Sequence, residues 1–389
     1  MSVTAPAGFV AAGGSAGIKS GGAPDVAVVA TADGRSVPAA GVFTTNLAPA
    51  APVVVSREHL AATGGRAAAV VLTSGNANAA TGAAGRSAAK RLCEIVATDV
   101  GAETSEVLVC QTGLIGIPFP IDAISGAVGP IVAARGPDAA DAAAAARAIL
   151  TTDTVVKEAL VHGDGFSVGA MAKGAAMLAP HMATMLALLT TDARVDPAGL
   201  ALALSAAVGP SFNSLSVDGC TSTNDTVLVL ASGLAGQPAP GALSMVLAEA
   251  CASLAEQMAA DAEGATKTVR VEVSGAASDL EAHRAARAVA DSLLVKCSLN
   301  GEDPYWGRVV SELASAGVSF DPDRVAISYG GVVVCRDGVA ADHDAEAVRH
   351  HMAGRDLHLG CALHLGSGWG SILSTDLGHG YIDENRTTS

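Results

Sequence analysis

The sequence predicts an α/β fold with mixed sheets. Short apolar runs rich in β-branched residues alternate with alanine-rich stretches at helical spacing, and 44 glycines lie among them. This alternation is typical of α/β chains, in which helices cover the faces of sheets. At 389 residues, the chain is long enough for two or three substructures of ordinary domain size.

Eight segments are predicted as strands because they are short, apolar and bounded by turn residues. The last two are joined through Gly330-Gly331 and are predicted to form a hairpin. Apolar and polar residues alternate in segment 268–273, which predicts one wet face. The eight segments are 25–30, 68–72, 106–110, 185–189, 226–231, 268–273, 325–329 and 331–335.

Four segments carry helical spacing, although their alanine content blurs the periodicity. In the second of them, Asp196 is predicted to cap a helix whose first position is Pro197. The four segments are 138–150, 197–208, 242–262 and 279–294.

Composition narrows the class of protein. The chain is 50% hydrophobic with a mean hydropathy of +0.41, yet no stretch approaches the ~20 uninterrupted apolar residues of a membrane helix. Residues 1–22 lack the basic and apolar regions of a secretory signal. We therefore expect a soluble cytoplasmic protein without a membrane partner.

Charge and cysteine content point to small ligands. A net charge of −15 and 3% aromatic residues argue against nucleic acid, which requires clustered basic residues and stacking platforms. The seven cysteines are widely spaced and contain no Cys-x-x-Cys pair, which favours reduced thiols over a disulfide framework or zinc ribbon. His343, His350 and His351 lack the spacing of a metal site, so we expect no metal.

Thr184 follows a Gly- and Pro-containing approach and precedes the apolar run 185–189. Two interpretations are open. It either begins a core strand, where β-branched residues fit well, or becomes a nucleophile after the Ala183–Thr184 bond breaks. In the second case its hydroxyl is paired with its own α-amine, whose ordinary pKa is roughly 7.7–8.0.

Several other polar positions could carry chemistry, each with a structural alternative. Thr112-Gly113 ends a predicted strand and could stabilise an oxyanion or simply form a turn. Lys173 could bind a carboxylate or reach solvent. Segment 13–20 resembles a phosphate loop but has Ile18 where that motif requires glycine, so a backbone turn is favoured. The remaining positions are Thr151-Thr152-Asp153, Asp218, Asn224-Asp225, Asp261 and Glu263.

Taken together, these positions belong to short motifs that resemble the ornithine acetyltransferase family, the bifunctional glutamate N-acetyltransferases of arginine biosynthesis. The resemblance spans nearly the whole chain and depends on the number and order of the motifs. They are Gly8-Phe9, Gly17-Ile-Lys19, Ser74-Gly-Asn-Ala-Asn78, Thr112-Gly113, Thr151-Thr152-Asp153, Ala172-Lys-Gly174, Met177-Leu-Ala-Pro180, Ala183-Thr184-Met185-Leu186, Ser222-Thr-Asn-Asp225, Asp261-Ala-Glu-Gly264, Asp303-Pro-Tyr-Trp-Gly-Arg308 and the tail near Asn385.

The resemblance implies a layered α/β sandwich with chemistry like that of N-terminal-nucleophile hydrolases on a distinct topology. It also implies self-cleavage between Ala183 and Thr184 into fragments 1–183 and 184–389, intertwined as one folded unit. A heterotetramer of two alpha and two beta fragments follows from the same resemblance. No cofactor is implied, although acetyl-CoA is a candidate co-substrate.

By the same resemblance, Thr184 attacks N-acetylornithine and passes its acetyl group to glutamate, while Thr112 and Gly113 form the oxyanion hole. Tyr305 departs from the family's asparagine, and Ser389 lies four residues beyond Asn385 where the family's hydroxyl residue lies five beyond. A self-processed amidohydrolase or aminopeptidase and a non-enzymatic binding protein are the alternative functions. The implied substrate contacts are Thr151 (or Thr152), Lys173, Thr184, Glu263, Asn385 and Ser389.

Overall fold

The computed structural model describes residues 2–177 and 185–386. They divide into two compact units. Unit 1 comprises residues up to 213 together with 220–258, and unit 2 comprises 214–219 together with the chain from 259 onwards. Each unit has its own sheets and core.

Unit 1 contains ten strands and six helices in the described part of the chain. Its strands are β1 (Phe9–Gly14), β2 (Val26–Thr31), β3 (Val37–Phe43), β4 (Arg66–Ala67), β5 (Ala69–Asn76), β6 (Val107–Leu114), β7 (Lys157–Gly163), β8 (Phe166–Lys173), β9 (Leu186–Thr191) and β10 (Thr226–Ala231). Its helices are α1 (Ala51–Ala62), α2 (Gly82–Val100), α3 (Ile121–Ala133), α4 (Ala139–Ala148), α5 (Pro197–Val208) and α6 (Ala242–Ala260), the last of which continues to the boundary of unit 2.

The strands of unit 1 form two mixed sheets, in the orders β1-β2-β5-β6 and β4-β3-β10-β9-β8-β7. Only the pairs β5–β6 and β9–β10 are parallel within them. Apolar side chains of α1, α2 and α3 cover one face of the first sheet. Its other face packs with α4 against the second sheet. Unit 1 is therefore layered, and the predicted α/β class with mixed sheets is confirmed.

Unit 2 is built on one six-stranded sheet of order β14-β13-β12-β15-β11-β16. Its core joins alternate residues of β11 to apolar residues of the helices, and Val269 and Val271 are buried while Arg270 is exposed. This confirms the predicted wet face of 268–273. The strands are β11 (Thr268–Ala276), β12 (Ala326–Tyr329), β13 (Val332–Arg336), β14 (Val339–Ala340), β15 (Asp356–Ala362) and β16 (Gly368–Thr375), and the helices are α7 (Asp279–Asp291), α8 (Leu293–Asn300), α9 (Trp306–Ser315), α10 (Ala345–Met352) and α11 (His379–Glu384).

Several local predictions are confirmed, but one predicted helix is wrong at its C-terminal end. Asp196 caps α5 by accepting the amide of Gly199 at 2.7 Å, and β12 and β13 form the expected hairpin. Segment 279–294, however, is two helices rather than one. Ser292 adopts an extended conformation after α7, and its side chain caps α8 by accepting the amide of Val295.

The second sheet of unit 1 takes strands from both sides of the predicted cleavage bond. β3, β4, β7 and β8 precede Ala183–Thr184, and β9 and β10 follow it. β8 and β9 are antiparallel neighbours, with Lys173 opposite Leu186. A cut between them would therefore leave two fragments sharing one sheet.

All seven cysteines lie within the described residues, and none of them forms a disulfide there. Within residues 2–177 and 185–386, no helix is both long and apolar enough to cross a membrane.

Candidate active site

In unit 1, strands β5 and β6 end side by side at the predicted oxyanion position. Their parallel register places Ser74 opposite Thr112 and Gly75 opposite Gly113. Gly113 has a φ of 128°, and a Cβ there would lie 2.3 Å from the carbonyl carbon of Gly75. Only glycine can therefore occupy position 113, because a side chain would meet both strain and backbone.

The hydroxyl of Thr112 is buried without a protein partner. Thr112 is 1% exposed, and its Oγ1 has no hydrogen bond among the residues that the structure describes. Leaving a buried hydroxyl unpaired costs roughly 1–3 kcal/mol. A developing oxyanion at this strand end could accept this hydroxyl's hydrogen bond, which is the chemistry expected of Thr112.

Asp153 is the centre of a buried cluster that reaches two predicted substrate contacts. Its Oδ1 lies 2.8 Å from Lys157 Nζ, and its Oδ2 lies 3.7 Å from Lys173 Nζ. Oδ1 also accepts the amide of Gly174 at 2.6 Å, and Oδ2 accepts the amide of Thr151 at 3.1 Å. One carboxylate thus contacts both Thr151 and Lys173. We call Asp153, Lys157 and Lys173 the lysine–aspartate cluster.

The electrostatics of this cluster favour an anionic ligand. Burial by itself would raise the pKa of Asp153, but Lys173 and Lys157 outweigh it and hold that pKa below its ordinary value. Both ammonium groups face the one carboxylate, Lys157 at 2.8 Å and Lys173 at 3.7 Å. A substrate carboxylate beside Lys173 would give its buried ammonium a closer anion than Asp153, and buried charges require partners.

The two neighbouring threonines differ in their surroundings. Thr151 is half-buried and bonded to Asp153 through its amide, whereas Thr152 is exposed. This favours Thr151 as the substrate contact, and the assignment stays a prediction.

The segment that resembles a phosphate loop wraps around an internal carboxylate. The amides of residues 16–19 all donate to Asp25, so the loop's donors are already occupied and the interpretation as a backbone turn fits. Lys19 Nζ donates to the carbonyl of Leu150 at 2.7 Å. A Cβ on Gly75 would lie 2.9 Å from Lys19 Cγ. Lys19 therefore links the end of β5 to the residue that precedes Thr151.

In unit 2, the structure brings Glu263 and Asn385 together. Asn385 Nδ2 donates to Glu263 Oε2 at 2.8 Å and to the carbonyl of Tyr381 at 2.9 Å. Gly264 has a φ of 63°, and a Cβ there would lie 2.0 Å from the amide of Tyr381. The close approach of α11 at Gly264 thus fixes the amide of Asn385 against Glu263.

Glu263 lines a cavity of about 200 Å³ inside unit 2. The cavity contains one buried lysine among carboxylates, and burial lowers the pKa of Lys296 to about 8 although Asp291, Asp218 and Asp376 oppose that shift. Lys296 Nζ donates to Ser374 Oγ and to the carbonyl of Thr375.

The lowered pKa of Lys296 predicts a rise in stability at alkaline pH. Between pH 8 and 10.5 the unfolded chain retains a proton that the folded chain releases, so the free energy of unfolding increases with pH by up to roughly 3 kcal/mol. Urea unfolding across this range should show the increase in the wild type and not in Lys296→Met. Ser374→Ala, which removes only a partner, should retain it. Parallel pH profiles for the wild type and Lys296→Met would contradict the prediction.

Three predicted residues, Ala183, Thr184 and Ser389, lie outside the described residues. Neither Lys157 nor Lys19 was predicted as a site residue. Lys157 stands four residues after Asp153, a spacing that could have suggested an ion pair, whereas nothing local marks Lys19 as a neighbour of β5.

An unpaired hydroxyl at a glycine-restricted strand end, on a layered α/β scaffold, is a site of the kind that an acyltransferase uses to bind an oxyanion. Comparison with known proteins gives the family. The model of the ArgJ family matches residues 10–387, and the chain belongs to this family.

The individual relatives agree with that assignment. The arginine biosynthesis bifunctional protein ArgJ of Mycolicibacterium paratuberculosis is 47% identical over 394 aligned positions, covering 100% of this chain and 96% of the relative. The protein of the same name from Thermobifida fusca is 45% identical, with 100% of both chains covered. Among solved structures, ornithine acetyltransferase complexed with ornithine from Mycobacterium tuberculosis is 44% identical, with a TM-score of 0.44, and covers 46% of this chain and 94% of that chain.

Proposed function

We propose that this chain transfers the acetyl group of N2-acetyl-L-ornithine to L-glutamate, giving L-ornithine and N-acetyl-L-glutamate in arginine biosynthesis. One observation carries the proposal within the ArgJ family: the buried, unpaired hydroxyl of Thr112 beside Gly113, where only glycine fits. That strand end offers a hydrogen-bond donor where an acyl-transfer reaction develops negative charge.

The chain first activates itself. The hydroxyl oxygen of Thr184 attacks the carbonyl carbon of Ala183, the C–N bond breaks, and the hydroxyl proton passes to the departing nitrogen, which leaves an ester and a free α-amine on Thr184. Water hydrolyses this ester and yields the carboxylate of Ala183 and the free hydroxyl of Thr184. Nucleophile and base then belong to one residue.

Acetyl transfer is a double displacement. The α-amine takes the hydroxyl proton of Thr184, whose oxygen attacks the acetyl carbonyl carbon, and Thr112 with Gly113 stabilises the oxyanion. The proton passes to the departing nitrogen of ornithine, and an acetyl ester remains on Thr184. The amine of glutamate then attacks this ester, forms the new amide and regenerates the hydroxyl.

Charge suggests how the substrates are recognised. Lys173, whose buried ammonium lies 3.7 Å from Asp153, is proposed to bind a substrate carboxylate, and Thr151 to contact the same substrate. Glu263, oriented by Asn385, is proposed to bind a substrate amino group. Ser389 is proposed as a further contact from the tail.

Three finer points complete the proposal. Two cleaved chains assemble as a heterotetramer, the enzyme works in the cytoplasm, and acetyl-CoA serves as an alternative acetyl donor. Size determination by light scattering tests the first point. Comparing initial rates with acetyl-CoA and with N-acetylornithine tests the last.

The central test is to identify the products and the intermediate. Purified protein should contain a new N-terminus at Thr184 and, after mixing with N-acetylornithine, an acetyl adduct on fragment 184–389. Initial rates should give the parallel lines of a ping-pong reaction. Release of acetate without N-acetylglutamate would instead identify a hydrolase, and a single intact chain would refute the mature enzyme.

Replacing Asp153 by asparagine should weaken substrate binding more than it slows chemistry. Lys173 would lose the carboxylate that holds it, so we expect KM for N-acetylornithine to rise by roughly tenfold or more while kcat falls less. The variant should also lose about 3–5 kcal/mol of stability, because the buried ion pairs of Lys157 and Lys173 with this carboxylate would be broken.

A second variant separates these two effects. Asp153→Asn/Lys157→Met also removes one of the two buried cations that face the lost carboxylate, so it should recover part of the stability while KM stays high. Steady-state kinetics and thermal unfolding of both variants provide the measurement. If both KM and stability returned to their wild-type values in the double variant, Asp153 would serve folding alone.

A further inference from the structure

Asn224 and Asp225 are two buried polar residues to which the proposed reaction assigns no role. They directly precede β10 in unit 1 and are 3% and 0% exposed. A buried amide beside a buried carboxylic acid is costly unless both groups form hydrogen bonds. The bonds that they form indicate their role.

Asn224 holds the end of the oxyanion strands. Its Nδ2 donates to the carbonyl of Ala77 at 2.6 Å and to the carbonyl of Gln111 at 2.8 Å. Ala77 directly follows β5, and Gln111 directly precedes Thr112. Because an asparagine amide has two N–H groups, both donors are used to join these two strand ends.

Asp225 forms a hydrogen bond at the beginning of β9. Its Oδ1 accepts the amide of Met185 at 3.0 Å, and the amide of Thr226 donates to the carbonyl of Met185 at 3.1 Å. β9 and β10 are parallel, with Leu186 opposite Thr226. Met185, which is bonded to the proposed nucleophile, is therefore fixed at both its amide and its carbonyl.

We infer that Asn224 and Asp225 are positioning residues that together set the distance between the oxyanion strand end and the start of the nucleophile strand. Consecutive Cα atoms are about 3.8 Å apart, so the dipeptide Asn224-Asp225 links the oxyanion strand end to the start of the nucleophile strand. The reacting groups at these two places must meet in the reaction. The inference rests on the proposed function, because it takes Thr112 and Thr184 as reaction partners.

The geometry requires a hydrogen-bond acceptor at position 225, the oxygen that accepts the amide of Met185. Oδ2 of Asp225 is buried and has no hydrogen bond within the described part of the chain. Burial also raises the pKa of this carboxyl well above its ordinary value. A neutral acid keeps a carbonyl oxygen for Met185, and an asparagine side chain offers the same acceptor.

Four variants of the full-length chain test the inference. Asp225→Ala and Asn224→Ala should slow self-cleavage and lower kcat by roughly 100-fold, since a displacement of about 1 Å can have that effect. KM should change less than about twofold, because the variants leave Lys173 and Glu263 in place. Asp225→Asn should remain within about threefold of the wild type, because it retains the acceptor.

The fourth variant is a control for loss of a loop hydrogen bond. Thr44→Val removes both bonds of Thr44 Oγ1, which donates to the carbonyl of Ser222 at 2.6 Å and accepts the amide of Asn46 at 3.1 Å, and should lower Tm without changing cleavage or kcat. If Asp225→Ala cleaved and turned over within threefold of the wild type, the inference would be overturned. If Asp225→Asn were as inactive as Asp225→Ala, Asp225 would act through its ionisation and positioning would again be refuted.

Hydrogen exchange keeps this test independent of catalysis. In Asp225→Ala the amides at the start of β9 should exchange faster than in the wild type, whether or not the protein transfers acetyl groups. A wild type that neither cleaves nor transfers would refute the proposed function alone. Unchanged exchange at residues 185–188 would refute the positioning role alone.

Discussion

Replacing Thr184 by alanine is expected to leave the 389-residue chain uncleaved and without acetyl transfer. The variant lacks the hydroxyl that attacks Ala183, so the α-amine is never released and no acetyl ester can form. Loss of a covalent nucleophile commonly lowers the rate by on the order of 10⁴-fold or more. Denaturing electrophoresis, intact mass and the rate of N-acetylglutamate formation together measure the effect.

Thr184→Ser is the matched control, because it retains a hydroxyl and an α-amine after cleavage. It should yield both fragments, measurable transfer and an acetyl adduct on the C-terminal fragment. A Thr184→Ala protein that is cleaved at the same bond and transfers acetyl groups would exclude Thr184 as nucleophile. An intact but correctly folded variant, shown by an unchanged circular dichroism spectrum, would rule out misfolding as the cause.

The strands and helices that the sequence predicted well are those with strong local signals. Thr226–Ala231 is a continuous apolar run between polar segments, and Pro197–Val208 begins with both a cap and a proline. β7 carries Lys, Glu and His, so its pattern does not indicate a strand. It is held by pairing along β8, and such tertiary pairing overrides local propensity.

The residues of the candidate site also divide into those that the local sequence marks and those that only tertiary pairing brings together. Thr112-Gly113 was a local candidate because a glycine after a strand permits a close backbone approach, and the family resemblance assigned the pair to the oxyanion hole. The lysine–aspartate cluster was only partly predicted, because its geometry depends on the β7–β8 hairpin. Lys157 pairs with Ala172 in that register, which brings it near Lys173 despite the distance in sequence. Burial, which gives the cluster its chemical importance, is not visible in the order of residues.

The sequence marks the loop that contains Asn224 and Asp225 as polar, but it does not show what these side chains contact. Of their partners, Gln111 lies in β6 of one sheet, and Met185 directly precedes β9 of another. No periodicity within the loop specifies either contact. The sequence therefore identifies polar residues, whereas their shared role follows only from the strands that they connect.

Thr112→Val is the second variant with a large expected effect. It keeps the β-branched shape but removes the proposed oxyanion donor, so kcat for acetyl transfer should fall by about 10²–10³-fold. KM for both substrates should stay nearly constant, because the lost interaction forms in the transition state. Thr112→Ser, which keeps the hydroxyl, should retain most of the activity. Steady-state kinetics of the two variants measure the difference.

The stability of Thr112→Val distinguishes a catalytic hydroxyl from a structural one. A hydroxyl that holds the fold together would destabilise the protein when removed, and kcat would then fall together with Tm. Oγ1 of Thr112, however, makes no hydrogen bond to any described residue, and replacing an unpaired buried polar group by an apolar one is neutral or stabilising. We therefore expect Tm to stay constant or rise while kcat falls. A variant that lost both would assign Thr112 to the fold, because a donor reserved for the reaction has no bond to lose in the resting protein.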